Sequence, residues 1–300
     1  MRNNELIRLQ PIRLGALLAA LAFGFPQSSE AAARAPEQAG AVYELLLRHE
    51  SKSEDSDGSS SSSNGTDTLI ERVIEVTPEG LVLEYDLASE EGLRHGRADQ
   101  WQYPFRVFKP LDGPIRLLNA AELEARIMRW LEHSEIPRSA CGTWIFTWNA
   151  FRIECDPQSV IEGVARFDMR PGDLRGGAQF HEQGANEPAH ITETAAAPEG
   201  AAYVVELAVD PEWVRREKAE SDVVVGEITR EPVTLEEALR AHSAEQISGT
   251  ITITFETDAN GSVRRRTKLT RLETRTPDGS VETSTTTETL ERRLVSRSAF

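Results

Sequence analysis

The chain has 300 residues, 27% of them charged, a formal net charge of −16 at pH 7, and two cysteines. That balance excludes the basic footprint of a nucleic-acid binder and adsorption to anionic membrane surfaces. The acidic excess mainly provides solubility.

The N-terminus has the three parts of a secretory signal. Arg2, Arg8 and Arg13 form a basic region, Leu14 to Phe25 a short apolar run, and Ala31-Ala32-Ala33 a small-residue cleavage site. Residues 1–33 are therefore expected to be a signal peptide, with the mature protein beginning near Arg34. The alternative is a retained N-terminal anchor, but the apolar run is shorter than the ~20 residues a spanning helix needs. Residues 34–300 suffice for one large domain or two small ones, and one β-rich domain is expected.

Gly40 to Arg48 reads as a strand, with Ala41, Tyr43, Leu45 and Leu47 on one side. Residues 51–67 are low in apolar content and read as a mobile low-complexity loop. Within them Asp55-Ser56-Asp57-Gly58 faintly matches a calcium loop, with its glycine and its closing acid misplaced. Leu69–Val76 and Leu81–Leu87 are strands joined by the turn Thr77-Pro78-Glu79-Gly80. Trp101–Phe108 is a fourth strand, an edge or a bulged one because Pro104 lacks a donor. Asn119 and Glu122 open a helix like a capping box, with Leu118 placed to staple onto Leu123. Its stripe of Leu123, Ile127, Trp130 and Leu131 should pack on a sheet face.

Both cysteines lie in Ser139–Asp156, a stretch that reads as a β-hairpin. Two registers compete. A two-residue turn at Asn149-Ala150 puts Cys141 opposite Gln158 and needs positive φ at an alanine. A three-residue loop, Thr147-Trp148-Asn149, sets Ile145 opposite Phe151, Thr143 opposite Ile153 and Cys141 opposite Cys155. The second register places the thiols face to face and predicts a structural Cys141–Cys155 disulfide. Trp144 and Trp148 here, with Trp101 and Tyr103 upstream, form a candidate aromatic binding patch; the plainer reading is an aromatic core.

Asp156-Pro157 opens a helix with Val160, Ile161 and Val164 inward. Residues 171–200 show no period and read as an irregular connection. Tyr203–Val209 is a strand, Asp210-Pro211 opens another helix, and Thr234 to Glu237 is a capping box. The C-terminus reads as a three-stranded meander, with Ile247, Ile251, Ile253 and Phe255 on one face and Ser248, Thr250, Thr252 and Thr254 on the other. The two turns Thr77–Gly80 and Thr276–Gly279 and the two Asp-Pro helix starts fit either an internal duplication or ordinary turn chemistry. The fold class expected is α+β, predominantly antiparallel sheet with meanders at both ends, packed on a few amphipathic helices.

No nucleophile elbow, P-loop, dinucleotide fingerprint or zinc-protease helix occurs, so no catalytic, cofactor-binding or metal residue is assigned. His181-Glu182 with His190 is the one grouping weighed as a metal site, and it lacks helical spacing. Acidic pairs such as Glu90-Glu91 and Glu236-Glu237 read as solvated. With meanders at both ends and helices between, the chain resembles carrier-type folds of the bacterial envelope and exported proteobacterial proteins of unknown function. The resemblance implies binding of an acyl chain or a lipoprotein in an apolar cavity. It maps no binding residue onto this sequence, and the threonine-rich last strand, Val281–Leu290, departs from a greasy lining. The expected function is a periplasmic or secreted, non-catalytic protein that binds an envelope component or partner protein on its sheet. The alternative is an exported hydrolase with an acidic site.

Overall fold

The alternating segments assemble into one ten-stranded antiparallel sheet. The computed structural model describes residues 37–88, 100–146, 150–169, 173–197 and 200–297. The signal peptide, the Arg34 start, Glu90-Glu91 and Trp148 lie outside the described residues. Among those described, no helix is long and apolar enough to cross a membrane.

The first meander comprises β1 (Ala41–Asp55), β2 (Ser60–Thr77), β3 (Gly80–Leu87), β4 (Phe105–Pro110) and the short β5 (Arg116–Leu117). The last comprises β10 (Thr192–Ala197), β11 (Gly200–Ala208), β12 (Gln246–Thr257), β13 (Val263–Arg275) and β14 (Val281–Arg297). Pairing of β1 with β14 fuses the two into the order β10-β11-β12-β13-β14-β1-β2-β3-β4-β5. Between them lie α1 (Ala120–His133), the hairpin β6 (Trp144–Phe146) and β7 (Ala150–Arg152), α2 (Ser159–Ala165), and the two-residue strands β8 (Gln179–Phe180) and β9 (Ala189–His190). Helices α3 (Pro211–Thr229) and α4 (Leu235–His242) connect β11 to β12.

Side-chain alternation sets the buried face. Leu45 and Leu47 on β1, Leu69 and Val73 on β2, Leu83 and Tyr85 on β3, and Ile251, Ile253 and Phe255 on β12 share one core with Leu123, Ile127 and Leu131 of α1. The C-terminal meander has the predicted faces, with Ile253 opposite Lys268 and Lys268 opposite Glu288. Gly249 on β12 is required by close approach: a Cβ there would sit 2.2 Å from the Arg271 carbonyl oxygen.

Several local expectations are corrected. Residues 51–67, read as a loop, are the distal halves of β1 and β2. Ser51 pairs with Thr286 on one side and Ser63 on the other, so the β1 half of the hairpin has ladder partners on both edges that substitute for apolar burial. The Asp55–Ser59 turn takes up the acids of the supposed calcium loop: Asp57 accepts from the Ser59 amide at 2.8 Å and Asp55 from its hydroxyl at 3.0 Å. The expected strand from Trp101 begins only at Phe105, after a turn with a cis Tyr103–Pro104 bond. Asn119 does not cap α1. Its side-chain oxygen Oδ1 instead accepts from the Arg106 amide at 2.9 Å, tying the helix start to β4. Leu118 is 51% exposed, so no staple forms. Helix α2 starts at Ser159, with Asp156 accepting from the Gln158 amide in the preceding turn. The connection at 171–200 carries β8, β9 and β10. Asp210-Pro211 and Thr234–Glu237 open their helices as predicted.

Candidate functional site

The hairpin has the three-residue-loop register: Trp144 opposite Arg152, Ile145 opposite Phe151, Phe146 opposite Ala150. The backbone bond from Ile153 to Thr143 continues the ladder toward the cysteines. Cys141 and Cys155 are joined, with Cα atoms 5.6 Å apart, inside the range a bridge between strands requires. The crosslink holds the chain before α2, and the Glu154 carbonyl accepts from the Trp101 indole at 3.1 Å.

That bond ties Trp101 to the chain before α2, and a cavity of about 580 Å³ opens between the turn Trp101–Pro104 and α1. One wall is Trp101, Tyr103 and Pro104; the other is Arg126, Arg129, Trp130 and His133. The spacing 126, 129, 130, 133 places all four on one side of the helix. Trp101 is 3% exposed and belongs to the core, whereas Tyr103 and Trp130 are half-buried and offer ring faces. Arg126 donates to the Pro104 carbonyl at 2.6 Å, closing the cavity on one side. Arg129 is exposed and forms no hydrogen bond or ion pair with the described residues. Burial pushes the Tyr103 hydroxyl above its ordinary pKa, with Asp67 and Asp86 adding to the shift, so it stays a neutral donor. The predicted patch is thus divided. Trp101 and Tyr103 meet in this cavity, joined by Trp130 and by cations the sequence reading did not single out. Trp144 is half-buried on β6 and does not line the cavity. The missed signal was the Arg-Trp-His spacing on α1 beside the apolar stripe.

Helix α2 lies between two further cavities. A middle one of about 570 Å³ runs over β2, β3 and β4, rimmed by Asp67, Gln100, Gln102, Glu154 and Ser159. A charged one of about 500 Å³ runs over β1, β13 and β14. In the latter Glu182 is clamped by Arg266 at 3.0 Å and Lys268 at 2.7 Å. His181 is exposed and His190 contacts the Gly177 carbonyl, so the weighed His-Glu-His grouping does not converge. Among the described residues no group of three or more His, Cys, Asp or Glu side chains is placed to share a metal ion.

Two charged clusters lie away from these cavities. Glu71, 0% exposed, accepts from the Tyr85 hydroxyl at 2.9 Å and pairs with Arg292 at 2.7 Å. Arg292 lies 3.4 Å over the Tyr43 ring. Glu71 occupies the inward parity between Leu69 and Val73, which was legible as a charge in a core position. On the helix pair, His242 bridges Asp222 at 2.8 Å and Glu245 at 2.9 Å. Burial alone would lower its pKa; the hydrogen bonds to the two carboxylates outweigh that and raise it.

The described residues define an α+β protein built on one large antiparallel sheet, with its charged and aromatic cavities beside α1 and α2. No family model and no curated protein matches the chain. Among solved structures, a lipovitellin structure described by its lipid-protein interactions is similar over 88% of this chain at 8% identity, with a TM-score of 0.39. The chain spans 26% of that protein's length. A conserved protein of unknown function with a hot dog fold, from Alicyclobacillus acidocaldarius, aligns over 89% of this chain and 84% of its own at 11% identity, with a TM-score of 0.11. At these TM-scores neither likeness is carried into the argument.

Proposed function

We propose that the protein is an exported, non-catalytic component of the bacterial cell envelope, a single domain after residue 33, that binds an envelope molecule beside its sheet. The observation that carries this reading is the cavity between the Trp101–Pro104 turn and α1. It has the size of a ligand site. It combines ring faces with two arginines and a histidine, and among the described residues no carboxylate lines it. A guanidinium without an ion pair, beside aromatic faces, suits a ligand with an anionic group and a flat apolar face. The disulfide supports export, because such bonds persist in oxidising compartments. Two measurements test the reading. Intact mass of the periplasmic fraction should show a chain starting near Arg34; a full-length membrane-retained chain would count against export. Purified protein incubated with envelope extract, then washed and denatured, should release a defined molecule detectable by mass spectrometry. The Trp130→Ala/Arg129→Glu variant should release much less of it, and equal recovery from both proteins would sink the binding reading.

A further inference from the structure

We infer that the middle cavity is a second ligand site, for an uncharged alcohol with an apolar body, and that Gly163 keeps it open. The inference goes beyond the aromatic cavity and does not depend on the ligand bound there. At about 570 Å³ the middle cavity lies within the size range of small-molecule sites. Its walls expose more apolar than polar surface. Leu69 of β2, Leu87 of β3 and Phe105 of β4 line the sheet side, and Val160, Val164 and Phe167 the helix side. Gly163 lines it as well. The spacing 160, 163, 164, 167 puts this glycine on the side of α2 that faces the cavity. A glycine inside a helix is the costliest choice short of proline, and it is usually required by a positive φ or a close approach. Gly163 has neither: its φ is not positive, and a Cβ built there would meet nothing within 4 Å. What the missing side chain leaves is room, and a large residue there would stand in the space between helix and sheet.

The rim decides the polar end of the ligand. Asp67 holds the inward parity of β2, two residues before Leu69. Its side chain is exposed at the cavity and forms no ion pair with the described residues. Glu154, Gln100 and Gln102 add further acceptor oxygens. Two carboxylates on the rim stand against one guanidinium, that of Arg166. The field of Asp67, with that of Asp86, already acts on the Tyr103 hydroxyl in the cavity wall. A ligand hydroxyl satisfies an acceptor here without adding a charge. A ligand carboxylate would meet like charge instead. A pure hydrocarbon would gain from the apolar walls but would strip water from the rim and give it no donor.

The test is calorimetric titration of the full protein with decanol and naphthol, a chain body and a ring body, against decanoate and naphthoate at neutral pH. At least one alcohol should bind, and the matching acid should bind at least about tenfold more weakly, the step that ~1.4 kcal/mol gives. Gly163→Leu should weaken the alcohol by about tenfold or more. Its melting temperature should match or exceed that of the wild type, because leucine is the better helix former. Asp67→Asn, a change at an exposed side chain, should narrow the gap between alcohol and acid, and it decides the matter even where Gly163→Leu does not fold. No binding of either alcohol, acids binding as tightly as the alcohols, full binding by folded Gly163→Leu, or an unchanged gap in Asp67→Asn would each overturn the inference.

Discussion

Removing the Glu71 carboxylate should be among the most damaging single changes to this protein. Glu71 is fully buried, accepts from Tyr85 and pairs with Arg292, whose own side chain is 5% exposed. Breaking a buried pair by deleting one partner costs roughly 3–5 kcal/mol, because the other charge stays buried without compensation. Arg292 keeps Glu37 at 3.0 Å, which places the cost at the lower end of that range. The Tyr85 hydroxyl loses its acceptor as well, adding about 1 kcal/mol. Glu71→Ala should therefore lose about 4 kcal/mol. With a urea m-value of about 3 kcal/mol/M for a chain of this length, the midpoint falls by more than ~1 M. Replacing both partners, Glu71→Leu with Arg292→Met, should recover part of the loss, since the two facing charges go together while Glu37 gives up its 3.0 Å contact with Arg292. Urea unfolding followed by tryptophan fluorescence reads both variants. A loss below ~1 kcal/mol for Glu71→Ala would refute the reasoning, as would a double variant as unstable as the sum of its two single changes.

Ile253→Asp should be severely destabilising and Thr252→Asp mild, because Ile253 is fully buried on β12 while Thr252 faces the opposite side. Equal shifts of the denaturation midpoint would contradict the register. His242 supplies a pH dependence of defined sign. Its folded pKa is raised, so its stabilisation is full below the unfolded value of about 6.5 and is lost as pH rises through the folded value. The melting-temperature gap between the wild type and His242→Gln should therefore shrink from pH 6 to pH 9; a gap that widens would refute the assignment. Reducing Cys141–Cys155 should lower stability by roughly 2–4 kcal/mol, the cost of releasing a loop of about 15 residues, without abolishing the fold. Loss of all structure on reduction would show that the core cannot stand without the bridge.

The local chemistry of the chain was legible in its order of residues. The spacing of Cys141 and Cys155 about an asparagine-containing loop specified both the disulfide and the hairpin register. Alternation in Ile247–Phe255 specified which side of β12 is buried, and Asp210-Pro211 and Thr234–Glu237 specified two helix starts. These signals are short-range: a turn, a cap or a period of two acts within a few residues. Tertiary structure decided what depends on partners far along the chain. Residues 51–55 of β1 are strand because β14, more than two hundred residues away, pairs along one of their edges while β2 pairs along the other. Alternation names the buried face of a strand but not its neighbour, so the β1–β14 pairing could not be read from it. Asn119 had the residues of a cap, yet β4 offered its side chain a backbone amide and took it from α1. Tyr103 and Trp130 each had a local reading, and only the docking of the Trp101–Pro104 turn on α1 made them walls of one cavity.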